Sequence, residues 1–333
     1  MDSHALMSVV FIVSIALLFD FINGFHDSAN SIATIVSTRV LKPQHAVLWA
    51  AFFNFVAIFF IGAQVANTVG TGIVTTSIVD NTLIFSALSG AIIWNLITWW
   101  LGLPSSSSHA LIGGLIGAGL VKGGAKVLVW KGIIKTACFI VLSPLIGMGI
   151  GLALMILTLR LSKYATVSTA DRLFRKLQLL SAAIFSLSHG MNDAQKTMGI
   201  IAVVLFKSGY LGSNFYVPFW VAFCCYLVIG LGTMAGGWRI VKTMGTKITK
   251  LQPIGGFCAE TAAAISIIGA SVAGIPVSTT HTIAGAITGV GSTKRLTAVR
   301  WEVAGNIIWA WILTIPISGE ISAGICFLVN VLR

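Results

Sequence analysis

Long apolar runs broken by short polar interruptions set the pattern of this chain. Residues 46–63, 136–159 and 217–235 carry no charge and approach or exceed the length of a membrane span, for which about 20 apolar residues suffice. A first run, 5–21, takes in Asp20 and passes into Asn23, Gly24, Phe25, His26, Asp27, Ser28, Ala29, Asn30 and Ser31. That stretch is too polar for the middle of an ordinary span, and Gly24 is the expected break before the apolar residues 32–36. Arg39, Lys42 and Pro43 close the unit. A second span is expected over 44–63, with Asn54 in its middle, and a short or tilted helix over 65–79. Residues 83–103 read as a helix stopped by Gly102 and Pro104, and 110–121 as a helix too short to cross a bilayer. After the span 136–159, residues 172–180 read as an amphipathic surface helix.

The pattern then restarts. Ser188, His189, Gly190, Met191, Asn192, Asp193, Ala194, Gln195 and Lys196 echo the polar stretch around Asp27. Residues 217–235 span again, 257–273 carry Glu260, and 282–291 are again short. Lys294, Arg295 and Arg300 end that unit, and 303–332 form a last apolar stretch interrupted by Pro316 and Glu320. Two further stretches match: Pro104, Ser105, Ser106, Ser107, Ser108, His109, and Pro276, Val277, Ser278, Thr279, Thr280, His281. Asp27 and Asp193 lie 166 residues apart, and Pro104 and Pro276 lie 172 apart. The expected organisation is a first transmembrane repeat over 1–160, a basic cytoplasmic loop over 161–180 and a second repeat over 181–333. Duplication with interrupted helices at matching places points to a secondary transporter with its site near the bilayer midplane. Loop charges alone leave parallel and inverted repeats both open.

Composition narrows the class. Of 333 residues, 56% are hydrophobic and 9% charged, with a mean hydropathy of +0.96, whereas a soluble domain carries about 25% charged residues. The fold class is an all-α polytopic membrane protein with re-entrant or discontinuous helices. The net charge of +12 does not call for nucleic acid. Arg160, Lys163, Arg172, Arg175 and Lys176 gather in the central loop, which places it in the cytoplasm by the positive-inside rule. No Lys or Arg precedes the first run and no small-residue cleavage site follows it, so it reads as a retained span and not a signal peptide. The N-terminal Met1, Asp2, Ser3 and His4 fit the outside. The five cysteines sit in apolar segments without metal-ligand spacing and read as small buried hydrophobes.

The hydroxyl clusters carry the candidate chemistry. Ser105, Ser106, Ser107 and Ser108, and Ser278, Thr279 and Thr280, each precede a short helix whose free N–H groups and positive dipole end point back at them. Hydroxyls and helix N-termini together bind anions without fixed positive charge. The plain alternative is that they only cap helices; two matched clusters inside a membrane favour one anion site. Asp27 and Asp193 would repel an anion unless they take up a proton or hold a cation, which is what coupling requires. Hydrogen phosphate can also donate a proton to a carboxylate where sulfate cannot, and a Ser/Thr-plus-Asp site would select phosphate on that ground. Asn30 and Ser31 add oxygen ligands or donors beside Asp27, which makes Asn30 a candidate for cation coupling as well, and Lys196 either pairs Asp193 or contacts the anion. Glu260 and Asn54, isolated in apolar runs, are candidates for cation coupling. His109 and His281 read as site-shaping hydrogen-bonders.

At Gly24 to Asn30, Ser188 to Lys196 and Pro276 to His281 the chain resembles the inorganic phosphate transporter (Pit) family, over nearly its whole length and with a short central loop of bacterial appearance. The resemblance implies a phosphate symporter of the cell (inner) membrane, with inverted repeats, re-entrant hairpins, alternating access and a homodimer. It implies that phosphate meets Asp27, Asn30, both hydroxyl clusters and Asp193. The coupling ion is Na⁺ or H⁺, some members carry a neutral metal–phosphate complex, and no cofactor or structural metal is implied. Two departures bear on the ion: Asn54 stands where eukaryotic relatives tend to have Glu, and His26 where Asn is usual. The competing readings are a sulfate or other oxyanion carrier, a passive channel, and an intramembrane serine hydrolase using Ser107 or Ser108, a His and Asp27. Against the hydrolase, no Gly-x-Ser-x-Gly elbow occurs.

Overall fold

The computed structural model describes residues 3–60, 62–212, 214–293 and 295–332; Met1, Asp2 and Lys294, singled out above, lie outside the described residues. Among them twelve α-helices follow one another: α1 (Ser3–Ser37), α2 (Pro43–Val56), α3 (Gln64–Thr71), α4 (Asn81–Leu101), α5 (Ser107–Gly123), α6 (Trp130–Leu161), α7 (Val167–Lys207), α8 (Phe219–Ala235), α9 (Trp238–Lys242), α10 (Pro253–Val272), α11 (Thr279–Ser292) and α12 (Trp301–Val331). No strand occurs among the described residues, only an isolated bridge between Val74 and Leu128. Among the described residues six stretches are long and apolar enough to cross a membrane: Leu6–Ser37, Pro43–Phe60, Asn81–Leu101, Trp130–Leu161, Pro253–Val272 and Trp301–Val331. Phe219–Ala235 and Trp238–Lys247, bent by 63° against each other, add a seventh when taken as one span. On α6 and α12 large apolar side chains face outward, among them Val141, Leu145, Leu157, Trp309, Ile312 and Phe327. Such a surface suits lipid and not water. This is a multi-pass membrane protein.

The two short helices form re-entrant hairpins with α4 and α10. At about 1.5 Å per residue, α5 and α11 reach roughly 26 and 21 Å, short of a hydrocarbon core about 30 Å thick. Both hairpins turn on the same device. Gly102 (φ 66°) ends α4 two residues before Pro104, and Gly274 (φ 64°) follows α10 two residues before Pro276. Those left-handed angles favour glycine, which has no Cβ to clash. Ser106 and Ser278 then sit in extended backbone and cap the short helices, each accepting at 3.2 Å from the N–H of the histidine three residues on.

The halves interlock. The re-entrant helix of each packs against the long last helix of the other, α5 on α12 and α11 on α6. Glycines allow backbone contact there: a Cβ on Gly117 would strike the carbonyl of Gly319, and one on Gly285 or Gly289 the carbonyls of Pro144 or Met148. Within lipid, close packing of small residues supplies much of the helix–helix attraction. The equivalent helices α1 and α7 run antiparallel, since Asp20 pairs with Thr197 and Thr38 with Gln178. That is the relation inverted repeats require. Both helices pass through two apolar cores. Val9, Ile12, Ala16 and Phe19 of α1 meet Ala194 to Leu205 of α7 in one. Ala29, Ile32 and Ile35 meet Ala182 and Phe185 in the other. The polar stretches around Asp27 and Asp193 fall where the two cores meet.

Several sequence expectations change. Helix α1 does not break at Gly24 and runs for 35 residues. A Cβ there would collide with the Ile229 carbonyl on α8, so this glycine serves close packing. The helix expected over 65–79 is only α3, and α5 begins at the third serine of its cluster. Residues 172–180 are no separate surface helix: α7 starts at Val167, capped by Thr166, and continues for 41 residues through Asp193. Chain 161–180 is therefore mostly helical, with the connection at 162–166. Pro316 does not interrupt α12, just as Pro144 lies inside α6.

Candidate functional site

The N-termini of α5 and α11 meet head to head between α1 and α7, and most of the residues expected from sequence converge there, Ser105, Asn54 and Glu260 excepted. Ser107 donates to Asp27 Oδ1 at 3.3 Å, and Thr279 donates to Asp193 Oδ2 at 3.4 Å. Lys196 donates to Ser108, and Asn30 Nδ2 donates to Thr280 at 2.9 Å and to Thr279 at 3.4 Å. These contacts are the same arrangement made twice: Asp27 with Ser107 matches Asp193 with Thr279, and Asn30 with Thr280 matches Lys196 with Ser108. Their offsets are the 166 and 172 residues of the duplicated motifs. One position breaks the symmetry, where the first half has neutral Asn30 and the second has Lys196.

Each cluster divides its labour. Ser106 and Ser278 cap, while the hydroxyls immediately after them reach the acids and their neighbours. Within one run, then, one hydroxyl caps the helix and the next reaches an acid. Ser105 points elsewhere, donating to Thr98 at 2.8 Å with His26 Nε2 3.4 Å away. His26 Nδ1 lies 2.7 Å from Asp27 Oδ1 and its Nε2 3.1 Å from Thr98, so it braces the carboxylate against α4.

Lys196 is fully engaged. Its three ammonium donors meet Asp193 Oδ1 at 2.5 Å, the Val277 carbonyl at 2.9 Å and Ser108. It thereby ties α7 to both hairpins and pairs Asp193, one of the two roles read from sequence. All these side chains are buried. Asp27, Asp193 and His189 bring one ligand atom each to within 4.8 Å of one another. Two carboxylates, with Ser107 and Thr279 beside them, offer the oxygen donors a hard cation prefers.

His189 is the functional candidate that sequence reasoning left without a role. Its Nε2 lies 3.2 Å from Asp193 Oδ2, and its Nδ1 lies 3.2 Å from Asn54 Oδ1. Asn54 in turn donates to Thr233 at 2.9 Å. Asn54 therefore reaches the centre only through His189. The i,i+4 spacing of His189 and Asp193 was the available signal. Glu260 lies outside the cluster, one turn of α1 beyond Asn30. It accepts from Thr34 at 2.6 Å, Gln178 at 3.0 Å and Ser181 at 2.5 Å. His109 and His281 stand edge to face, 4.9 Å between centroids, and His281 stacks on Trp311 at 3.9 Å. Trp311 donates to the Pro104 carbonyl at 3.0 Å. Neither Ser107 nor Ser108 makes a hydrogen bond to a histidine among the described residues, so a Ser–His couple for hydrolysis is not assembled.

Comparison with known proteins agrees. A relative from Rhizobium meliloti (strain 1021), described as a probable low-affinity inorganic phosphate transporter, is 60% identical over 96% of this chain and 95% of its own. A relative of the same description from Bacillus subtilis (strain 168) is 44% identical over 98% of both chains. A solved structure, described as the sodium-dependent phosphate transporter, superposes with a TM-score of 0.87 at 26% identity, over 98% of this chain and all of that one. These relatives are transporters and not enzymes. The profile of the phosphate transporter family matches residues 23–322, and the chain belongs to that family.

Proposed function

We propose that this chain carries inorganic phosphate into the cell by symport with a cation, Na⁺ or H⁺, through alternating access. The observation that carries the reading is the doubled arrangement of Ser107 on Asp27 and Thr279 on Asp193 where two helix N-termini meet. Two acids in one buried site repel an anion. A cation held between Asp27 and Asp193, or protons on them, removes that repulsion, and the N–H groups and hydroxyls of α5 and α11 then accept phosphate. Phosphate enters only with its cation, because each makes the other's binding favourable. That the relatives and the solved structure are described as phosphate transporters supports phosphate as substrate.

In this reading Asp27, Asn30, Ser107, Ser108, Asp193, Lys196, Thr279 and Thr280 form the substrate site, with Ser106 and Ser278 capping the helices that present it, Ser105 bracing it through Thr98, and His109 and His281 shaping it from behind. Asn54 acts on the cation through His189, while Glu260 on α10, held by Thr34, Gln178 and Ser181, locks α10 to α1 and α7 outside the cluster. The repeats are 1–160 and 181–333, and the basic segment between them, the connection at 162–166 with the first turns of α7, lies on the cytoplasmic side of the inner membrane, the protein working as a homodimer.

Radiolabelled phosphate uptake into proteoliposomes tests this. A Na⁺ gradient is imposed in one set and a pH gradient in another, with and without divalent metal. Accumulation driven by one cation gradient and resistant to excess sulfate is expected. Accumulation only with divalent metal present would make the cargo a metal–phosphate complex. Downhill movement alone would make the protein a channel, and equal competition by sulfate would make it a general oxyanion carrier.

A further inference from the structure

Two acids flank the central site along α1, and their surroundings differ. Glu260, beyond Asn30, receives three hydrogen bonds. Asp20, on the other side, receives one: Thr197 donates to its Oδ1 at 2.8 Å, while Oδ2 is buried without a partner. Two more oxygens on this side are buried and unpartnered, Asn23 Oδ1 and the Tyr226 hydroxyl. Asp20, Asn23 and Asp27 follow at i, i+3 and i+7, which puts them on one face of α1. Asp193 and Thr197 follow at i and i+4 on the facing stretch of α7. A polar row therefore leads from the central site into an apolar core. The titratable groups in electrostatic reach of Asp20 are Asp193 and Lys196 on α7 and Cys225 and Tyr226 on α8. The only cation among them, Lys196, is already committed to Asp193, Ser108 and Val277.

A bare carboxylate oxygen in an apolar core is expensive unless something positive meets it. The unpartnered atoms are all oxygens, which suit a small hard cation. We propose that Asp20, Asn23, Thr197 and Tyr226 form a second monovalent-cation site, for a proton or Na⁺, two turns of α1 from the one at Asp27 and Asp193. Its part in coupling rests on the symport reading; its binding of a cation does not.

Equilibrium binding to the purified full chain tests it. In one arm, radiolabelled Na⁺ is counted per chain for the unaltered protein and for Asp20→Asn. In the other, infrared difference spectra on a pH jump follow the band of a protonated carboxyl. Loss of one Na⁺ per chain in the variant supports a sodium site. Unchanged Na⁺ with loss of a protonated-carboxyl band supports a proton site. No change in either arm, as water alone in the pocket would give, overturns the proposal. If Asp20→Asn does not fold, Tyr226→Phe decides: it removes one oxygen and should lower cation affinity at this site about tenfold, and an unaltered affinity overturns the proposal. Because binding is read without transport, failure here is distinct from failure of symport, which the gradient experiment reads.

Discussion

At the scale of single residues, the site is set by which polar atoms have partners. Asp27 meets His26 and Ser107 and no cationic lysine, so its carboxylate is the one available to a cation. Asp27→Asn is expected to abolish gradient-driven phosphate accumulation while the protein still inserts; normal accumulation by the variant would remove Asp27 from coupling. Lys196 makes the opposite case. Replacing it with Met leaves Asp193 buried without its cation, a loss of about 3–5 kcal/mol, and thermal unfolding should show a large drop. The doubled acids, hydroxyls and Asn30/Lys196 were legible in the sequence, because polar residues within apolar runs stand out and recur at a fixed offset. The tie from His189 to Asn54 and the Gln178 and Ser181 partners of Glu260 were not. Their meaning lies in contacts across 79 to 135 residues of chain, which no local spacing encodes. Glu260→Gln separates two roles for that acid. Its three donors favour a lock between α10, α1 and α7, so the variant should melt earlier with an unchanged cation requirement. A shifted cation half-saturation at normal stability would place Glu260 on the cation's path.

At the scale of elements, the capping and lining roles inside one serine run predict different losses. Ser106→Ala removes an N-cap and should cost about 1 kcal/mol of stability, with phosphate affinity little changed. Ser107→Ala removes the hydroxyl on Asp27 and should weaken phosphate or cation binding, with stability little changed. Titration of binding and thermal unfolding on both variants check the division; the reverse pattern would exchange the two roles. The short length of α5 and α11, and the Gly–Pro turns before them, could be read from sequence because length against bilayer thickness is a one-dimensional property. Gly24 could not. Whether a glycine breaks a helix or admits a neighbour depends on the neighbour, here the Ile229 carbonyl of α8. The same holds for α7, whose polar first turns read as a separate surface helix because nothing local shows that they continue into the buried segment.

At the scale of the whole molecule, the two hairpins, α1 and α7 are joined at one point, and that makes binding a global event. Lys196 links α7 to Ser108 and Val277, Asn30 links α1 to Thr280, and Ser107 links α5 to Asp27. A ligand at that junction touches both halves and both cores, so it should stabilise the fold as a unit. A ligand that binds only the folded state adds about 2.7 kcal/mol at a hundred times its Kd. If the cation and phosphate each improve the other's binding, the two together must raise the melting temperature by more than the sum of their separate shifts. Melting curves of the purified chain with phosphate, with the coupling cation, with both, and with sulfate in place of phosphate read this directly. The excess shift should appear only with phosphate and cation together and vanish in Asp27→Asn. Additive shifts in the unaltered protein would mean that the two ligands bind independently, and the head-to-head meeting of α5 and α11 would then hold an anion without coupling it.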